Sequence, residues 1–370
     1  MTLLVIFSGF NQRAVISFIR VISKYRNIQF VIVASGPEDT IYDSIYKDKV
    51  GYERKNKSLG KESFEPIIKW VHAKYPSYDY VIVPSAEALN RALLSNAKYF
   101  NDNNVSIPLV ERDIYESVSD KHSFKIICEE AGIKTPGLYN SIHKFPTVAK
   151  PKRYFSSDNK SLYPYLIYNE EQKSEFIKAE TYDDYYFEEF IDGESYYLFY
   201  YVAKAGDVLS YSQKNLLQQP AGKSIIAAEP AFIHREEISK IFIHLFKKIC
   251  FWGLVMVEVR FDGVDYYMIE ANPRLWGPSQ LFVDAGIGFF EKYLVDLGFE
   301  VRVAVETERM DKELRYFWHG GFVGSIRGNE KPTYHKGTTE EEFKKNLGLF
   351  LKNEIYKRED TMQIYLRELQ

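Results

Sequence analysis

Through residues 1–112, short apolar runs alternate with longer stretches whose apolar positions recur at helical spacing. Residues 3–8, 28–34, 79–83 and 107–110 read as strands. Between them, Val15, Phe18, Ile19 and Ile22 mark one face of a helix capped by Asn11, and another helix follows Pro37. A longer helix carries Phe64, Ile67, Ile68 and Val71 inward, and a further one runs from about Glu87 to Tyr99. Strands separated by amphipathic helices predict a parallel, helix-covered sheet of Rossmann-like type. Gly9 alone follows the first strand, so there is no G-x-G-x-x-G and no sign of dinucleotide binding.

From residue 113 the pattern changes. Ser119 or Asp120 caps a helix that buries Phe124, Ile127, Cys128 and Ala131 and is closed by Gly132 and Pro136. Lys121 lies in its first turn, where a cation opposes the helix dipole. A strand over 146–150 ends at Lys150 and enters the loop PKRYFSSDNKS, which holds no glycine. The strand YYFEEFI over 185–191 is followed by Asp192-Gly193-Glu194 and a second strand over 196–203. A third hairpin near 204–207 leads to Gln213-Lys214 and the segment QQPAGKS. Residues 235–249 repeat apolar side chains at a period near 3.6, the mark of a scaffold helix.

The stretch GLVMVEVRFDGVDYYMIEANPRLWG over 253–277 reads as two strands around Asp262-Gly263. Val255, Val257, Val259 and Phe261 alternate with Met256, Glu258, Arg260 and Asp262, while Tyr266, Met268, Glu270 and Asn272 share a face of the second strand. Register decides whether the polar faces coincide. A two-residue turn puts Glu258 and Glu270 on opposite faces, whereas an odd loop over 263–265 sets them opposite each other. Carboxylates about 5 Å apart repel unless a cation lies between them. Glutamate, glutamate and asparagine are hard oxygen donors suited to Mg²⁺, and the alternative is a solvated polar face. Residues 279–297 then form a helical segment behind this hairpin.

The tail carries fewer signals. YFWHGGFVGSIRG suggests a strand pair with a glycine bend, with His319 as a packing residue. Thr339 and Glu342 form a capping box for a last helix that turns Phe343, Leu347, Phe350 and Leu351 inward. The tail is expected to cover the core or to make an oligomer contact, with a homodimer as one option.

At 370 residues the chain allows two or three domains, and 45% hydrophobic with 27% charged residues makes it globular. A net charge of -3 gives no electrostatic case for nucleic acid or an anionic membrane. The opening MTLLVIFSGF lacks a basic region and reads as a strand rather than a signal peptide; no run approaches the roughly 18 apolar residues of a membrane span. Cys128 and Cys250 both fall at apolar helix positions, which predicts buried thiols and a cytoplasmic setting. The histidines show no zinc-binding spacing.

Four motifs occur in one order: Asp120-Lys121 before a helix closed by A-G-I-x-T-P, the strand lysine Lys150, E-E-F-I-x-G-x-E, and a glutamate strand followed by E-x-N-x-R. In this order they resemble the ATP-grasp superfamily of carboxylate–amine and carboxylate–thiol ligases, over about residues 1–305. The resemblance implies a Rossmann-like domain over 1–112, ATP-grasp subdomains over 113–190 and 191–310, and a helical extension over 311–370. The implied architecture is an α/β and α+β fold that would sandwich ATP.

By position, the resemblance puts Mg²⁺ on Glu258, Glu270 and Asn272, as two ions with Mn²⁺ as an alternative, and Arg274 on the transferred phosphoryl group. Lys121 and Lys150 would meet nucleotide phosphates, the rival reading of Lys121 being a solvated lysine beside Asp120. Adenine would lie against the backbone of Glu189, Phe190 and Ile191, with Glu188 on its amino group and Glu194 on the ribose hydroxyls. An acidic hairpin in water is the alternative there. Lys214 and Gly222 resemble a strand-end lysine and a loop that close over substrate, or else a solvated loop. Ser156, Ser157 and Lys160 could donate to phosphate where the family has a glycine-rich loop, and Ser85 and Glu87 could line the substrate pocket.

The implied activity is ATP- and Mg²⁺-dependent: a small-molecule carboxylate becomes an acyl phosphate that an amine attacks, releasing ADP and phosphate. Bicarbonate or a thiol in place of these substrates, and a non-catalytic ATP-binding module, are the other readings.

Overall fold

The structure, a computed structural model, describes all residues except 57, 154–161, 179–181, 304–312 and 329–330. Strands β1 (Thr2–Phe7), β2 (Gln29–Ala34), β3 (Val50–Glu53), β4 (Asp79–Ile82) and β5 (Val105–Ser106) form a parallel sheet in the order β3-β2-β1-β4-β5. Alternation explains why β1 is apolar throughout. Leu3, Val5 and Phe7 meet the helix Lys61–Lys74, while Leu4 and Ile6 meet the helix Gln12–Ile22.

Several local expectations are corrected here. After Pro37 the chain makes 3-10 turns at Thr40–Asp43 and Ile45–Lys49 rather than an α-helix, and then the unexpected β3. The last strand lies at Val105–Ser106, before the expected 107–110, and the helix from Glu87 breaks at Asn96. Asn11 does not cap with its side chain. It takes a left-handed conformation, and its amide donates to the carbonyls of Ser85 at 3.2 Å and Leu275 at 2.6 Å.

An antiparallel sheet follows, with β6 (Leu138–Tyr139), β7 (Thr147–Pro151), β8 (Tyr165–Ile167) and β9 (Tyr185–Glu189) in the order β6-β9-β7-β8. The largest sheet contains β10 (Glu194–Val202), β11 (Val208–Gln218), β12 (Ile225–Ala231), β13 (Gly253–Phe261) and β14 (Tyr266–Asn272). From the tail it takes β15 (Tyr316–Phe317) on β12 and β16 (Thr333–Tyr334) on β11. Leu198, Tyr200, Val255, Val257 and Val259 on one face share a core with Phe124, Cys128, Phe242 and Phe246 of the covering helices.

The other face joins the two halves of the molecule. Phe199, Tyr201 and Met256 share a core with Val15, Phe18 and Ile19 of Gln12–Ile22 and with Trp276, Phe282 and Phe290. Phe18 meets Phe290 edge-on at 5.2 Å between centroids. Truncating such a ring to alanine costs about 3–5 kcal/mol, so this packing strongly opposes separation of the parallel sheet from the antiparallel one.

In the tail the expected strand pair is instead β15 followed by the helix His319–Arg327. The glycines serve close packing rather than a bend: a Cβ on Gly321 would run into the Trp318 ring, and one on Gly320 into Glu368. His319 packs against Phe317 and Tyr365, as expected of a packing residue. The capping box at Thr339 and Glu342 is present, and the helices Glu340–Lys345, Leu347–Lys352 and Met362–Glu368 follow. Asp360 closes the tail onto the first domain, accepting from Arg20 Nε at 2.7 Å and from the Tyr46 hydroxyl at 2.8 Å. Cys128 is buried, but Cys250, just past a helix end, is exposed, which corrects the expectation of two buried thiols. Among the described residues, no helix is long and apolar enough to cross a membrane.

Candidate active site

The hairpin β13–β14 places Glu258 directly opposite Glu270, but not by the route expected. Phe261 pairs with Tyr266, Arg260 with Tyr267 and Val259 with Met268. Continued unbroken, that register would set Glu258 against Ile269 and turn Glu270 to the other face. A β-bulge between Val259 and Glu258 absorbs Ile269 and restores the pairing. The bulge also leaves the Ile269 carbonyl free of the ladder, and Lys150 Nζ donates to it at 2.8 Å. The irregularity that aligns the carboxylates therefore also fixes the lysine from β7.

Four polar side chains follow in a relay along β14. Glu270 pairs with Lys121 through one oxygen and accepts from Asn272 Nδ2 at 2.7 Å through the other. Asn272 Oδ1 accepts from Arg274 Nη2 at 3.0 Å. The backbone turn after Asn272 is held by Arg274 N–H on the Asn272 carbonyl at 3.0 Å and by the Trp276 indole on the same oxygen at 3.1 Å. Glu258 is buried and has weaker partners: the Ser195 hydroxyl at 3.3 Å and Arg260 Nε at 3.7 Å.

The two carboxylates consequently diverge in acidity. Burial and the facing Glu270 push the Glu258 carboxyl up, against the opposing pull of Arg260. Burial would also raise Glu270, but Lys121 and Asn272 outweigh it and hold it well below the usual carboxylate range. Lys121 is raised: burial acts to lower it, and the Glu270 partnership overcomes that. Two acids held together with a third oxygen donor, Asn272, fit a hard divalent cation, because a cation relieves the burden seen at Glu258.

On the smaller antiparallel sheet, Glu188 of β9 sits buried between two lysines. Lys150 Nζ forms an ion pair with its Oε2 at 2.6 Å and separately donates to the Ile269 carbonyl at 2.8 Å. Lys125 Nζ lies 3.3 Å from Oε1 and also donates to Thr135 Oγ1 at 2.6 Å. The Glu188 carboxylate is thus held inward by these two lysines. Glu189 is half-exposed with Lys144 at 3.4 Å, and Phe190 and Ile191 lie half-buried in the connection from β9 to β10.

Glu194 opens β10 and pairs with Lys214, while its other oxygen accepts from Tyr196 at 2.6 Å. Burial works to raise Glu194, and Lys214 and Tyr196 lower it on balance. Lys214 lies inside the long strand β11, not at a strand end as expected, and Gly222 ends a short turn between β11 and β12. The loop candidates Ser156, Ser157 and Lys160 lie outside the described residues. Glu87 is taken up by Arg91 at 3.0 Å. Asp120 occupies the N-cap position, yet its carboxylate turns to Arg91 instead of capping.

Sequence reasoning missed Lys125, Arg260 and Ser195. Lys125 had a usable signal, because it follows Lys121 by one helical turn and interrupts an otherwise apolar stripe. Ser195 and Arg260 were placed only by the pairing of β10 with β13.

No protein-family model and no curated protein matches the chain. Solved structures do. Biotin carboxylase from Campylobacter jejuni, in complex with β,γ-ATP, superposes with a TM-score of 0.60 at 16% identity, over 81% of this chain and 72% of that one. The biotin carboxylase domain dimer of 2-oxoglutarate carboxylase from Hydrogenobacter thermophilus, with MgADP and bicarbonate, gives 0.60 at 16%, over 83% and 72%. N5-carboxyaminoimidazole ribonucleotide synthetase from Thermus thermophilus gives 0.58 at 14%, over 81% and 79%. All have the ATP-grasp fold, and so does this chain.

Proposed function

We propose that this chain is an ATP- and Mg²⁺-dependent ligase that activates a carboxylate as an acyl phosphate and joins it to an amine, releasing ADP and phosphate. The observation that carries the reading is the bulged hairpin, where Glu258 and Glu270 face each other with Asn272 and Arg274 beyond them. A divalent ion held by Glu258, Glu270 and Asn272 would neutralise charge on the nucleotide phosphates. The chain's own part is positioning and electrostatics, which is what phosphoryl transfer asks of a protein.

In this reading Lys150, fixed by Ile269 and Glu188, and Lys121, held by Glu270, face the phosphates. An oxygen of the acid attacks the γ-phosphorus as the bond to ADP breaks. The amine nitrogen then attacks the acyl carbon, phosphate leaves, and the nitrogen loses its proton. Arg274, whose guanidinium is oriented by Asn272 and the Leu275 carbonyl, meets the phosphoryl oxygens with a planar fork. Glu189, Phe190 and Ile191 would border the adenine and Glu194 the ribose. Lys214 would have to leave Glu194 to touch substrate. A homodimer is the assembly we propose, one of the structural neighbours being described as a dimer.

Bicarbonate as the acid is the second reading, favoured by the neighbour that carries bicarbonate. Incubating the protein with Mg-ATP and pooled carboxylic acids, or with bicarbonate alone, and with hydroxylamine as a trap, separates the two. Acid-dependent ADP with a hydroxamate supports the ligase, and bicarbonate-dependent ADP without hydroxamate supports the second reading. Tight ATP binding with no turnover across both arms would leave a binding module.

A further inference from the structure

The parallel sheet holds buried donors that the proposed chemistry does not use. Arg54, just past β3, is only 6% exposed, and its Nε and Nη1 have no hydrogen-bond partner. Its guanidinium reaches over the end of β1, 4.6 Å from the Phe10 ring centroid and 5.9 Å from that of Phe7. Asp39 is the nearby acid, but its carboxylate is occupied by the Ser8 and Ser35 hydroxyls and by the N–H groups of Ser35 and Ile41. Burial accordingly depresses Arg54, and the field of Asp39 restores part of the loss.

Two more orphans lie along the same edge. Gln12 Nε2, at the start of the helix Gln12–Ile22, and Ser85 Oγ, past β4 and fully buried, lack partners as well. That helix has no side-chain cap and no acidic residue in its first turn, so its dipole is unanswered. The carboxyl edge of a parallel sheet is where open α/β folds bind ligands. This edge is tied to the reaction centre by Asn11, which bonds both Ser85 and Leu275, the residue after Arg274.

We propose that Arg54, with Gln12 and the uncapped helix start, receives an anionic group, carboxylate or phosphate, carried by the substrate away from its reacting carboxyl. A buried guanidinium without an acceptor is costly in the empty protein, and a bidentate anion supplies what it lacks. The substrate acid is then at least a dianion, with one charge read by the parallel sheet and the other activated near Arg274. This assignment of the anion to a substrate rests on the ligase reading, whereas the binding of an anion at Arg54 does not.

The test uses the full chain without nucleotide, titrated calorimetrically with inorganic phosphate, succinate or acetate at constant ionic strength. Saturable binding of phosphate or succinate, weakened at least about tenfold in Arg54→Met and partly kept in Arg54→Lys, is expected. Phosphate or succinate, whichever binds, tells which anion the fork prefers. Arg54→Met also removes an unpaired buried charge, so its ligand-free melting temperature should match or exceed wild type. Anion binding unchanged in Arg54→Met, or no saturable binding of phosphate and succinate to the wild type, would overturn the proposal. Mg-ATP binding by the wild type, measured separately, decides the ligase reading without reference to Arg54.

Discussion

Two buried carboxylates, Glu188 on β9 and Glu258 on β13, differ in the charge that stands nearest them. Glu188 lies between Lys125 and Lys150, one acid shared by two cations, with every charge in close company. Glu258 faces a second acid, has the Ser195 hydroxyl at 3.3 Å and Arg260 at 3.7 Å, and is pushed toward its neutral form by burial. The first arrangement is complete as it stands and holds β7, β9 and the helix Lys121–Glu130 together. The second holds two acids together and, in the ligase reading, would gain from a divalent cation. Both are glutamates buried on strands, and what separates them is whether the nearest charge is a cation or a second acid.

Breaking the complete site should have the largest effect. Glu188→Ala strips the buried Lys150 ammonium of its counter-charge and leaves Lys125 to Glu129 at 3.2 Å, a loss of about 3–5 kcal/mol when a buried pair is broken from one side. Urea unfolding should show the midpoint falling with little change in slope. A midpoint equal to wild type would mean that Glu188 is as replaceable as an exposed acid.

Breaking the incomplete site should spare the fold and remove the chemistry. Glu258→Gln relieves a facing pair of like charges, so stability should stay within about 1 kcal/mol of wild type. Turnover should fall by about 10²–10³-fold, the loss expected from removing one preorganised charge-stabilising group. Glu270→Gln differs, because it also strips Lys121 of its partner and should lower stability as well as turnover. If Glu258→Gln kept full turnover, the metal assignment would fail.

Much of this contrast was legible in the sequence, and the part that was not has a physical reason. The spacing of Glu270, Asn272 and Arg274 and the order of the motifs pointed to the site directly. The pairing of Glu258 with Glu270 was expected from an odd loop, but the loop preserves the wrong parity and a bulge at Ile269 corrects it. Period-two patterning is blind to one inserted residue. The ion pairs of Glu188 were not legible because their partners, Lys125 and Lys150, come from a helix and a different strand. The tail was misread at Gly320-Gly321 because glycine marks close approach as readily as a turn, and only tertiary packing on Trp318 and Glu368 tells which.

Acidity sharpens the same comparison. Glu258 is raised, so its contribution to the metal-free fold is complete below the ordinary carboxylate value and is lost as pH climbs through the raised one. Glu270 is lowered, so the stability of its Lys121 pair is present above the ordinary value and lost as pH falls through the depressed one. A cation binds only the deprotonated pair. Between the ordinary and the raised value, Mg²⁺ affinity should therefore climb by up to about tenfold per pH unit, with release of one proton. Calorimetry of Mg²⁺ binding in buffers of different ionisation enthalpy reads that proton. No proton release anywhere in that window would count against Glu258 as a ligand.

The smallest effect is expected where a carboxylate is satisfied yet still partly open. Glu194 is paired with Lys214 and Tyr196, but it remains half-buried at the start of β10, and Lys336 of the tail donates to the neighbouring Asp192 carbonyl at 3.1 Å. Unlike Glu188, Glu194 has a partly exposed side chain, so in the ligase reading it would accept from ribose hydroxyls. Glu194→Gln keeps the shape and removes the charge, and hydrogen bonds to a charged acceptor are roughly twice as strong as neutral ones. Binding of ATP should weaken while that of 2′-deoxy-ATP changes less, so the preference between them should shrink by about 0.5–1.5 kcal/mol, about two- to twelvefold in Kd. Stability should move far less than in Glu188→Ala, since Lys214 is left partly exposed rather than buried. If the preference for the 2′-hydroxyl were unchanged, the ribose would not lie at Glu194. The nucleotide would then have to be sought elsewhere along the connection from β9 to β10.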